Sequence, residues 1–140
     1  MTNEISLDDL DLVSHSAKAF EFEYIKPNGD ASGIHFSVLG GNADVVRQAA
    51  EELIDARRMK AARREMLAAK GGRGVAPVEI DKTADDVAFG QRLAAVRLVG
   101  WRGIKEPFSV EGAVKLCKSN PHIAAQIMEQ SDEVGNYFTN

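Results

Sequence analysis

Three histidines, one cysteine, a glycine-rich turn and a run of cations are the residues of this 140-residue chain with the most chemical potential. His15, His35 and His122 fall in three different stretches. Metal sites usually present ligands at i, i+3 or i+4, or across a hairpin, and none of the three has such a partner. Cys117, the only cysteine, can form neither an internal disulfide nor a cysteine-based metal site, and a reducing compartment is the default expectation. It shares helical spacing with Ala113 and Val114 and has no base near it in sequence. That places it as a small core residue and not as a nucleophile. Gly71-Gly72-Arg73-Gly74 has the glycines of a phosphate loop but lacks its Gly-Lys-Ser/Thr ending, so it reads as a linker. Asp85-Asp86 are placed to favour the positive end of a helix dipole. No constellation predicts an enzyme, a metal or a cofactor.

The cations are the remaining candidate. Arg57, Arg58, Lys60, Arg63 and Arg64 follow one another closely. The net charge of −4 hides a strong asymmetry: residues 1–56 carry eleven acids against three bases, residues 57–75 seven bases against one acid, and residues 76–140 nine acids against seven bases. The basic run can be a solvated helix end. It can also make charge contacts with the acids of residues 4–11, within one subunit or in self-association. Contact with nucleic acid is the third reading, disfavoured by the acidic whole and the lack of nearby aromatics for stacking.

The elements that must carry these residues follow from patterning. At 44% hydrophobic residues the composition suits a globular protein, with length for one core. No apolar run approaches the ~20 residues of a membrane span, and the acidic N-terminus does not resemble a secretory signal. Residues 1–17 predict an acidic flexible arm, with one helical turn around Leu7–Val13. Phe20, Phe22 and Tyr24 alternate with acids, as Ile34, Phe36 and Val38 alternate with His35 and Ser37. Between them Pro27-Asn28-Gly29-Asp30 predicts a hairpin turn. Gly40-Gly41 ends the second strand, and Val45, Val46, Ala49, Ala50, Leu53 and Ile54 form one helical stripe. The helix continues to Ala69, but its distal half has too little apolar surface to be buried deeply.

Residues 70–81 predict a Gly-rich linker. Thr83 and Asp85-Asp86 then open a helix whose apolar face runs through Phe89, Leu93 and Val96 to Val99, with Gly100 ending it. Ser109 and Asn120 are N-cap candidates for two further helices, the second with Pro121 at its first position. The last helix carries Ile123, Ile127, Val134 and Phe138 on one side. The expected architecture is α+β, mainly α: residues 18–69 as a β-hairpin plus long helix, residues 82–140 as a helical unit of about three helices, and 18–140 as one compact domain. Trp101, Phe108, Met128, Tyr137 and Phe138 are expected in the core first, and as a partner-binding groove second.

The hairpin Phe20–Val38, leading through Gly40-Gly41-Asn42-Ala43-Asp44 into a helix with Arg47, is one half of a pattern. The other half is Leu98-Val99-Gly100-Trp101, Pro107-Phe108-Ser109, Asn120-Pro121 and Asn136-Tyr137-Phe138. Together, over about two thirds of the chain, they resemble the tail assembly chaperones of long-tailed bacteriophages. The resemblance implies a protein without catalytic residues, made in the host cytoplasm and generally absent from the finished virion. It would bind the long tape measure protein, keep its hydrophobic helical segments soluble while tail tube subunits assemble, and self-associate. A longer frameshifted form often accompanies such a protein. The alternatives are another phage tail accessory, such as a completion or connector protein, or a small nucleic-acid-binding regulator using Arg57–Arg64.

Overall fold

The computed structural model describes residues 4–71 and 82–138. Two strands, β1 (Phe20–Ile25) and β2 (Ala31–Val38), form the expected antiparallel hairpin. Its turn closes where the Lys26 amide donates to the Asp30 carbonyl at 2.8 Å and Gly29 takes a φ of +93°. A positive φ there is the physical reason for Asn-Gly at that place.

A third strand, β3 (Leu98–Arg102), pairs antiparallel with β2 and gives the order β1-β2-β3. This corrects the expectation that Leu98 and Val99 extend a helix. The helix stops at Ala95, and Phe36 and Val38 take Trp101 and Leu98 as cross-strand partners. The register shifts between Ser37 and Val38, leaving Val99 as the extra residue of a bulge. Pairing alternates the two faces. Phe22, Tyr24, Phe36, Val38 and Leu98 are buried on one. Glu21, Glu23, His35, Ser37 and Arg102 lie on the other, where the Arg102 guanidinium donates to Glu21 Oε1 across the sheet at 2.6 Å.

Three helices close the core over the apolar face: α3 (Lys82–Ala95), α4 (Val110–Ser119) and α5 (Pro121–Asp132). Ala94, Ala95, Ala113, Cys117, Ile123, Ala124 and Ile127 are their buried contributions. The caps are local and legible. Ser109 accepts from the Gly112 amide at 2.9 Å, and Asn120 accepts from the amides of both His122 and Ile123, with Pro121 following. The last helix is shorter than expected. It stops at Asp132, and Val134–Tyr137 is a separate 3₁₀ turn that folds Tyr137 into the core.

The N-terminal stretch is also more structured than an arm. A 3₁₀ turn, Leu7–Leu10, carries a capping box from Ser6, and a short helix, α1 (Leu12–Ser16), starts at the Asp11 cap. Helix α1 packs on the C-terminal 3₁₀ turn, and Ser16 is buried. Residues 4–11 remain exposed.

The long helix, α2 (Asp44–Gly71), spans 28 residues, about 42 Å at 1.5 Å per residue. Only its start enters the core, at Val46 beside Ala43. Helix α2 ends two residues beyond the expected boundary, and the rest of the expected linker, residues 72–81, lies outside the described residues.

Candidate functional site

The residues with chemical potential are dispersed. His122 Nδ1 lies 2.8 Å from the Tyr24 hydroxyl, tying α5 to the hairpin, and His15 meets Phe138 at a tilt with ring centroids 4.8 Å apart. His35 sits on the outer sheet face opposite Arg102. Cys117 is fully buried, and burial pushes its thiol up to about 11, so it holds its proton at neutral pH. Among the described residues no three of His, Cys, Asp and Glu gather where they could hold a metal ion. No helix there is long and apolar enough to cross a membrane.

The aromatic candidates are placed mostly inside. Trp101 and Phe108 meet edge to face at 5.0 Å, and Trp101 continues onto Phe36 at 6.5 Å. The Trp101 indole donates to the Glu106 carbonyl at 2.9 Å, which fixes the loop between β3 and α4. Met128 packs on the same core, and Tyr137 is 7% exposed, its hydroxyl pushed up to about 12 by burial. Phe138 is half-exposed beside His15. These side chains knit the sheet to the helices.

The basic run divides into two faces. Successive helical residues turn by 100°, so Ile54, Arg57, Ala61 and Arg64 share one side of α2. That side meets α3. Arg57 pairs with Asp86 and lies over the Phe89 ring at 4.8 Å, and Arg64 pairs with Asp85 at 3.3 Å. Asp85 and Asp86 therefore serve as partners for the long helix, and Asp85, in the first turn of α3, also complements its dipole. All four charged side chains keep substantial contact with solvent, so each pair contributes under about 1 kcal/mol and orients the helices more than it stabilises them.

The opposite side of α2 is different. Met59 and Met66 lie seven residues apart on one line, about 160° around the helix from Arg57 and Arg64. Ala62, Arg63 and Leu67 flank them on the same exposed face. Met59, Met66 and Leu67 are 67%, 60% and 59% exposed. Arg58 and Lys60 bracket the line on its two sides. Neither they nor Arg63 makes an ion pair with another described residue. Three large apolar side chains on one helical stripe, with Arg63 beside them, contribute nothing to the core, while Arg58 also lines the cleft between α2 and Phe89. The signal was present in the sequence as the methionines interleaved with the arginines.

No protein-family model, curated protein or solved structure matches the chain.

Proposed function

We propose that this protein is a tail assembly chaperone that binds the helical segments of a tape measure protein and keeps them soluble. The observation that supports the reading is the outward stripe of α2. An amphipathic helix docks by laying its apolar face into a hydrophobic groove, and thioether side chains adapt to varied apolar partners. Met59, Met66 and Leu67 present that surface, and the compact sheet and helix core holds it clear of the fold. Trp101, Phe108 and Tyr137 act in this account as the rigid support. The proteins it serves are tape measure segments and, through them, the tail tube, in the host cytoplasm.

Co-expression with fragments of a tape measure protein tests the proposal. Fragments that aggregate alone become soluble and co-elute with this protein on gel filtration. Equal solubility without it, with no complex formed, removes the proposal. The nucleic-acid reading rests on Arg58, Lys60 and Arg63, and it predicts DNA or RNA binding that weakens steeply with salt and survives loss of Met59 and Met66.

A further inference from the structure

We propose that the first half of α3 is a latch on the long helix: residues 82–89 release from α2 about Gly90, and the release uncovers a cleft lined by Ile54, Ala61 and Phe89. The proposal rests on the contacts between α2 and α3 alone and holds whatever binds the outward stripe. Two ion pairs, Arg57 with Asp86 and Arg64 with Asp85, join the helices, and the Arg57 guanidinium also lies over Phe89. Both pairs are open to water, so each is weak and salt screens it. Beyond Leu53, residues 54–69 of α2 are exposed except for Arg64. Of residues 84–90 none is buried, and α3 enters the core only at Ala94 and Ala95.

Gly90 sets where the latch gives way. It lies inside α3, between Phe89 and the buried Ala94, and a Cβ added there would meet nothing within 4 Å. Close packing therefore does not call for a glycine at this place. Its effect is to loosen the helix, because glycine gives up more backbone freedom on folding than any other residue. The eight residues of α3 that precede it are too few to hold a helix in water without a partner. Once Arg57 and Arg64 let go, residues 82–89 unwind, while Ala94 and Ala95 stay in the core. In the closed form α2 offers one apolar stripe, Met59–Met66. The released form adds Ile54 and Ala61 on the side that faced α3, so a charge contact sets how much apolar surface the long helix presents.

Distances between spin labels at Arg63→Cys and Val87→Cys test this in the full-length protein. Both positions are exposed, and the one native cysteine, Cys117, is buried away from the label. In about 20 mM salt the distance distribution is short and narrow. In about 1 M salt a longer, broader population grows at least about threefold. Arg57→Gln with Arg64→Gln, which leaves α3 itself untouched, does the same in low salt. Gly90→Ala, read in high salt, lowers the ratio of long to short distances about fivefold, as a glycine-to-alanine change inside an exposed helix predicts. A distribution that neither salt nor the arginine substitutions change overturns the proposal. So does release that Gly90→Ala leaves as frequent as before.

Discussion

The Gly40 amide donates to the Ser16 carbonyl at 2.8 Å, and a methyl group added at Gly40 would sit 2.7 Å from the Ser16 Cβ and 3.1 Å from the Tyr137 ring. Helix α1 and the C-terminal 3₁₀ turn thus converge on the bend between β2 and α2, with the Gly40 backbone as the meeting point. The absence of a side chain there lets α1 and the C-terminal 3₁₀ turn pack together.

Gly40→Ala tests this joint. Ser16 and Tyr137 are both buried, so neither can swing into solvent to make room. Overpacking of this kind costs about 1–3 kcal/mol. Urea denaturation should show that loss, and proteolysis should cut the variant faster between residues 10 and 18. A change below about 0.5 kcal/mol contradicts the packing described here.

The Tyr137 hydroxyl is buried beside Ser131 and makes no well-formed hydrogen bond among the described residues. A buried polar group without a partner opposes folding. Tyr137→Phe is therefore expected to be neutral or to stabilise by up to about 1 kcal/mol, whereas Tyr137→Ala costs about 3 kcal/mol or more by leaving a void. Chemical denaturation of the two variants separates the hydroxyl from the ring.

Arg97 and Asp132 predict an asymmetry. The Arg97 guanidinium pairs with Asp132 and donates to Ser131 Oγ at 3.2 Å. The Arg97 side chain is 13% exposed, whereas that of Asp132 is 58% exposed. Removing Asp132 leaves a cation in a poorly hydrated place, while removing Arg97 leaves a carboxylate that water can reach. Asp132→Ala should cost about 2 kcal/mol or more, and Arg97→Met about half of that, since its stem packing is kept. Equal losses in thermal or urea unfolding would show that the pair is not buried on one side.

Alkaline pH should weaken the fold through Cys117 and Tyr137. Burial raises both groups in the folded state, from 9.0 to about 11 and from 10.0 to about 12. The folded protein holds those protons where the unfolded chain releases them, so their contribution is intact below about pH 9 and is lost as pH rises toward 12. Stability measured from pH 8 to 11 should fall. Native Cys117 should react with a maleimide at pH 8 at least about a hundredfold more slowly than in the unfolded chain, because its thiolate is both rare and covered. Equal rates would place Cys117 at the surface.

Local signals carried much of the fold. Asn28-Gly29, Ser109 and Asn120-Pro121 each act within a few residues, and each sits where its chemistry predicts. Leu98–Trp101 did not reveal itself because its apolar residues continue the helical stripe of Leu93 and Val96. What turns it into a strand is pairing with Phe36 and Val38, some 60 residues away, which no local pattern encodes. The docking of α1 was hidden for a similar reason: the residue it buries is a serine, and its partner is the backbone amide of Gly40, which donates to the Ser16 carbonyl. The α2 stripe was half legible. Met59, Met66 and the arginines were visible as helical, but which arginines face α3 depended on Asp85, Asp86 and Phe89 lying across from them.

The central claim is that the Met59–Met66 stripe binds an apolar helical guest, and direct titration tests it. A soluble tape measure helix fragment, labelled with a fluorophore, is titrated with wild-type protein and with the Met59→Glu, Met66→Glu double variant. Both side chains are exposed, so the variant keeps its fold, which circular dichroism verifies. The account predicts saturable binding by the wild type and at least about a tenfold loss in the variant, with each buried apolar side chain contributing about 1–2 kcal/mol. Wild-type binding that the double variant retains unchanged, or no binding by the wild type, would contradict it.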